Sequence, residues 1–219
     1  MRRVVTILAV LALIPVASAS AGTVFETWNG TGGLTVHLGG STISTQSGWA
    51  TVKVIDATGM APLIAGTSYE AYCVDLLRWS GGTEAVTGSF LAWNLYSGGH
   101  GVTAASYLLN TYLGRPGTDR SSLQIAIWEV LYETAAAWNA GSGNVWFSAF
   151  NATNVGNYLA NAAAHSNFAG DAVWIRVTDD ARSNYYQDFA TVASVPDAGS
   201  SLPLFGMALA GLAAFRRRR

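Results

Sequence analysis

The only cysteine of the chain, Cys73, stands in the segment YCVDL (72–76). A lone cysteine cannot form an intramolecular disulfide. Four roles are therefore open to its sulfur: a small buried apolar side chain, an intermolecular disulfide, a catalytic nucleophile, or a crosslink to a side chain other than cysteine. A Cys-dependent hydrolase or transglutaminase would need a base, and His37, His100 and His165 are the three histidines that offer one. His100 lies in the glycine-rich SGGHG (97–101), His37 in a short strand pattern, and His165 at the end of a helical segment, where a cation is expected on macrodipole grounds alone. No two of Cys and His stand at metal-ligand spacing, so neither a metal site nor another cofactor is expected.

A second motif lies 51 residues after the cysteine, in LQIAIWEVLYE (123–133). Together with YCVDL and the intervening AASYLLNTYL (104–113), it resembles in order and spacing the bacterial thioester domain of surface adhesins. That family carries a Tyr-Cys-aliphatic motif and a Gln-x-x-Ile-Trp motif, and joins its Cys sulfur to the Gln side chain. The resemblance, over roughly residues 65 to 165, implies that Cys73 is the sulfur and Gln124 the acyl donor.

The chemistry suits those two residue types. A thiol attacks the Gln carboxamide carbon, ammonia leaves, and a thioester remains without any cofactor. An amide is a poor electrophile, so the two groups must be held at contact distance with a donor on the developing oxyanion. A thioester also hydrolyses in water unless it is shielded. Tyr69, Tyr72, Trp128 and Tyr107 are the aromatic candidates for a shield, against ordinary core packing for each. Asp75 either orients an incoming nucleophile or satisfies a backbone group at a strand end. Lys53 is the only lysine. A lysine-poor surface limits self-crosslinking by amines, although GC-rich coding produces the same bias.

These residues need strands and helices to position them. TVFETW (23–28), LTVHL (34–38), ATVKVID (50–56) and YEAYCVDL (69–76) alternate or run apolar between Gly, Ser and Thr clusters, and read as strands. VTAASYLLNTYL (102–113) and NVGNYLANAAA (154–164) have helical stripes, and between them the longest helix opens at Thr118 or Asp119 and runs to about Ala137. On that helix Gln124 shares a face with Ile127, Trp128 and Leu131. On the strand, Cys73 alternates with Tyr69, Ala71 and Asp75, while Tyr72 and Val74 point the other way. AVWIRVTD (172–179) and NYYQDFATVAS (184–194) return to strand. The pattern predicts an α+β fold, an antiparallel β-sandwich with a helical insertion or subdomain.

Both chain ends read as addresses. Arg2 and Arg3, an apolar run and the small residues ASASAG make residues 1–21 a secretory signal peptide, cleaved after Ala19 or Ala21. Residues 22–194 form the domain. In the last segment, 195–219, Val195, Pro196, Asp197 and Gly199 precede the apolar LPLFGMALAGLAAF (202–215) and the cluster Arg216, Arg217, Arg218 and Arg219. Fourteen helical residues span roughly 21 Å, short of the roughly 30 Å hydrocarbon core, and cross as a transmembrane helix only with help from the small flanking residues. The arginines then keep the C-terminus cytoplasmic. This order resembles the PEP-CTERM class of bacterial sorting signals, in its Val-Pro-Asp variant. The resemblance implies an exosortase-type partner in the inner membrane, which cuts at the motif and passes the chain to the cell surface or extracellular matrix. A simple membrane anchor is the alternative.

The chain is 50% hydrophobic and 11% charged, with a formal net charge of -1. Between Gly22 and Pro196 there are six basic and twelve acidic residues, a net of -6. Such a body is a poor partner for nucleic acid. The expected protein is an exported covalent binder that uses its thioester once, on a surface amine or hydroxyl of a protein or polysaccharide, rather than a turnover enzyme. The alternatives are a non-reactive structural or polysaccharide-binding matrix protein, whose exposed aromatics would include Trp79 or Trp93, and the Cys-dependent hydrolase or transglutaminase.

Overall fold

The computed structural model describes residues 22–30, 32–78, 84–88, 101–133, 138–165, 167–168, 170–179, 184–185 and 187–193. The expected signal peptide 1–21, Trp79, Trp93, His100, residues 134–137, to which the long helix was expected to run, and the C-terminal segment 195–219 lie outside them.

The α+β architecture is present, as two antiparallel sheets and three helices. In chain order the elements are β1 (Gly22–Trp28), β2 (Gly32–Leu38), β3 (Ser41–Ser47), β4 (Ala50–Asp56), β5 (Ser68–Cys73), β6 (Glu84–Gly88), α1 (Val102–Tyr112), α2 (Arg120–Tyr132), β7 (Val145–Ser148), α3 (Ala152–Ala164), β8 (Ala172–Asp179), β9 (Asn184–Tyr185) and β10 (Phe189–Val192). The larger sheet has the order β10-β5-β4-β1-β6-β8-β9, and a further β10–β8 pairing closes six of its strands into a ring. Phe189 is the closing point, opposite Cys73 on one side and Ile175 on the other. Closure leaves β10, only four residues long, without a free edge.

The smaller sheet, β3-β2-β7, begins as a hairpin whose two turn residues, Gly39 and Gly40, have φ of 55° and 85°. Two successive positive φ values are the pattern of a two-residue hairpin turn, in which glycine is strain-free. The chain then adds β7 from beyond α2, through Val36 opposite Phe147.

The helical insertion falls between β6 and β8. Asp119 caps α2 by accepting the Ser122 N–H at 3.1 Å, and Asn151 does the same for α3 through Asn154. The expected one-sided apolar face of α2 proves too narrow a description. Every residue from Ser122 to Leu131 is buried, because the helix packs on α1 and α3, on β5 of the larger sheet, and on β3 and β7 of the smaller one. Where α1 begins, a Cβ at Gly101 would fall on the Val130 carbonyl, so the closeness of α1 to α2 depends on that glycine.

Three strands carry no clear alternation in sequence and emerge only in the structure: β3, β6 and β7. Two others are shorter than expected. β5 stops at Cys73, because the chain turns at Leu76 and Leu77, and the Asp75 carboxylate accepts the Leu77 N–H at 2.8 Å. The segment 184–194 breaks before β10, where Gln187 and Asp188 are buried and Gln187 Nε2 donates to the Asp75 carbonyl at 2.8 Å.

Candidate functional site

Strand β4 begins at Ala50, which pairs with Ala71 of β5, so β5 runs two residues past its neighbour. The opposite edge of β5 is covered, since Tyr72 and Cys73 pair with β10 and the Val74 N–H donates to the Asp188 carbonyl at 2.9 Å. The backbone of Cys73 on the β4 side therefore lacks a strand to bond. The side chain of Gln124 supplies what is missing. Its Oε1 accepts the Cys73 N–H at 3.0 Å, and its Nε2 donates to the Cys73 carbonyl at 2.7 Å. A primary amide presents one acceptor and one donor side by side, as the next strand's backbone would.

The carboxamide of Gln124 is thus held at both polar atoms against the residue that bears the thiol. Gln124 has no solvent exposure and Cys73 only 5%. Cys73 is in no disulfide, and as a thiol its pKa is pushed well above the ordinary range, first by burial and then by the charges of Glu26 and Asp75. The Cys73 N–H on Gln124 Oε1 is also a donor on the oxygen that would become an oxyanion if sulfur attacked the amide carbon.

Beside this pair lies a cavity of about 240 Å³, lined by Cys73, Trp128, Asp75 and Arg78 together with Trp28, Gln46 and Gln187. Trp128 stands one helical turn after Gln124, is 2% exposed, and stacks on Phe147 with ring centroids 6.2 Å apart. Its Nε1 is buried without a hydrogen-bond partner among the described residues. Asp75 is 3% exposed, and its second carboxylate oxygen meets Arg78 Nε at 2.9 Å.

The remaining expected site residues are placed elsewhere. Tyr69 is buried and its hydroxyl accepts the Ile64 N–H at 2.9 Å, which pins the β4–β5 loop. Tyr72 points away from the cavity, as the strand alternation requires, and donates to Glu70 Oε1 at 3.2 Å. Burial, followed by the Glu70 charge, raises the Tyr72 phenol. Tyr107 stacks on His165, with centroids 4.2 Å apart, and meets the edge of Phe168. Neither described histidine lines the cavity, since His37 stacks on Trp146 and His165 on Tyr107. Nothing in the sequence pattern marks Trp28, Gln46, Arg78 and Gln187 as cavity residues. They come from β1, β3 and the segments flanking β5 and β10, and only the closure of the fold gathers them.

A further piece of function lies in the C-terminal segment. Residues 194–219 match the VPDSG-CTERM motif. Val195, Pro196, Asp197 and Gly199, and the cluster Arg216, Arg217, Arg218 and Arg219, all fall within the match, with Ala198 where the motif's name has Ser. The chain carries a sorting signal of the exosortase type, which directs it to export and the cell surface. Among the described residues no helix is long and apolar enough to cross a membrane, and the expected transmembrane segment 202–215 lies outside them. The chain has no match among the curated proteins or the solved structures.

Proposed function

We propose that the exported body forms an internal thioester between Cys73 Sγ and Gln124 Cδ and uses it once, to capture a nucleophile covalently at the cell surface. The observation that carries this reading is the two-point hold of the Cys73 backbone on the Gln124 carboxamide. In the forming step the sulfur bonds to Cδ, the C–N bond breaks, and the thiol proton leaves with the nitrogen as ammonia. No external proton acceptor is required. The raised thiol pKa makes free thiolate scarce, so fixed proximity has to supply most of the rate. Once the bond exists, the Cys73 N–H remains on the acyl oxygen and burial keeps water away.

In the capture step an amine or hydroxyl attacks Cδ, the C–S bond breaks, and the sulfur leaves with the nucleophile's proton. The product is an amide or ester on Gln124 and a free Cys73. The exosortase-type signal supports a surface role for such a binder, with the processing enzyme in the inner membrane as its partner during export. The same two hydrogen bonds also suit an inert matrix protein in which Gln124 only completes the edge of β5.

Intact mass separates the two. The folded, purified chain is expected to weigh less than its sequence by one ammonia, and methylamine is expected to add and release one titratable thiol. A full sequence mass with a thiol already titratable on denaturation would refute the thioester and leave the inert clamp.

A further inference from the structure

The cavity beside Cys73 has its own hydrogen-bonding character. Three of its acceptor atoms are engaged: both Asp75 carboxylate oxygens, by the Leu77 N–H and Arg78, and Gln46 Oε1, by Trp28 Nε1 at 2.8 Å. Its donors differ. The Trp128 Nε1–H is buried with no acceptor among the described residues, and indole nitrogen can only donate. Arg78 lines the wall as one half of an ion pair with Asp75. A ligand that answers the Trp128 N–H must offer an acceptor oxygen. A lysine ammonium has three donors and no acceptor, so it leaves that N–H unanswered. Glu26, the other carboxylate that acts on Cys73, does not line the cavity.

From this we infer that the cavity is the acceptor-substrate site of the thioester and takes a saccharide hydroxyl, with the Trp128 indole N–H donating to a sugar oxygen. The inference rests on the thioester proposed above. It names which of the two nucleophile classes the site selects. Trp28 adds apolar aromatic surface to the wall, and the volume of about 240 Å³ suits one sugar unit rather than a chain. The hydroxyl oxygen attacks Gln124 Cδ, the C–S bond breaks, the hydroxyl proton goes to sulfur, and a sugar ester of Gln124 remains beside a free Cys73 thiol.

The test compares methyl glucoside and butylamine as probes on the full chain, with the adduct and the ammonia deficit both read by intact mass. Methyl glucoside is expected to add with a rate that saturates with concentration, as a bound substrate does, while butylamine adds linearly. Trp128→Phe keeps the ring and removes the donor. It is expected to lower the sugar rate relative to the amine rate about tenfold, the worth of one buried hydrogen bond. A sugar rate that never saturates, or a saturating amine rate, overturns the inference in the wild-type chain alone, whatever the variant's stability. So does an equal effect of Trp128→Phe on both probes. A wild-type chain without the ammonia deficit removes the thioester and this inference together, an outcome that the mass distinguishes from the others.

Discussion

Helix α2 is anchored by polar side chains at both ends, and the two anchors differ in kind. In its first half the neutral amide of Gln124 meets a strand edge that offers one donor and one acceptor, and both are matched. In its second half two carboxylates hold loops. Glu129 Oε1 accepts the Asn139 N–H at 2.6 Å, and Glu133 Oε1 accepts the Val145 N–H at 2.7 Å. A carboxylate only accepts, so each binds backbone N–H groups, and Glu129 Oε2 is left buried without a partner. The cost falls on Glu129, which has no solvent exposure and whose pKa is raised to about 7, mainly by burial. One end of the helix meets its strand through a neutral amide. The other is a loop fastener that responds to pH.

The sharpest way to break this comparison is to remove each half of the first anchor in turn. Cys73→Ala keeps the backbone groups and hence both hydrogen bonds, whereas Gln124→Glu sets a carboxylate oxygen against the Cys73 carbonyl. If the thioester forms, both variants lose a crosslink between residues 51 apart, worth about 4 kcal/mol by chain entropy. Gln124→Glu is expected to lose about 2 kcal/mol more for the mismatched buried group. Denaturant unfolding of the three chains checks this, and both variants should also lose any adduct that survives boiling in denaturant. A loss of only about 1 kcal/mol in Cys73→Ala, the cost of a small buried group, would mean that no crosslink existed.

How much of this site was legible in the sequence depends on the distance over which each signal acts. The stripe in NVGNYLANAAA and the Asp119 cap are local, and α3 and the start of α2 lie close to where they were expected. The alternation in ATVKVID is local too, and β4 matches it residue for residue. Cys73 and Gln124 were legible as a pair only through two motifs read together, since no local rule joins positions 51 apart. That Gln124 would bond the Cys73 backbone follows from β4 starting two residues short of β5's end, which is a fact of register between strands. β3 was hidden because STISTQS is polar and mostly exposed. Four residues of VWFS are too few to show a period, so β7 was hidden as well. Tyr69 shares Cys73's strand parity, but lies more than 10 Å away along an extended chain, which explains why it guards a loop instead.

The second anchor yields the next largest effect. A carboxyl whose pKa is raised on folding binds its proton more tightly in the native state, so stability is greatest below the unfolded value and declines as pH rises through the folded one. For Glu129 that window runs from about 4.5 to about 7, and Asp188, raised to about 6 chiefly by burial, acts in the same direction. The wild-type chain is therefore expected to lose about 2 kcal/mol of unfolding free energy between pH 5 and pH 8 through Glu129. Glu129→Gln retains the oxygen that receives the Asn139 N–H and has no charge to bury, so its stability should be flatter over that interval. Urea unfolding at several pH values measures the slope. Equal slopes in the two chains would show that Glu129 is ionised in the fold at no cost.

The smallest effect comes from the tie that precedes Gln124 by one helical turn. Arg120 grips Glu70 of β5 with Nε at 3.1 Å and a terminal nitrogen at 3.0 Å, and its guanidinium lies 4.6 Å from the Trp49 ring centre. Arg120 and Gln124 therefore fasten the same side of α2 to the same strand, at Glu70 and Cys73. The ion pair is partly exposed, with side-chain exposures of 35% and 17%, so water and salt screen most of its attraction. Arg120→Ala should cost about 1 kcal/mol, and less in about 1 M salt. Arg120→Lys keeps the charge but loses the two-pronged grip, and should recover only part of the loss. If Gln124 is aligned by its own two bonds, neither variant changes the fraction of chains that carry the ammonia deficit. A fall in that fraction, read by intact mass, would instead make Arg120 part of the machinery that presses the amide against the thiol, and the first anchor would begin at the helix N-terminus rather than at Gln124.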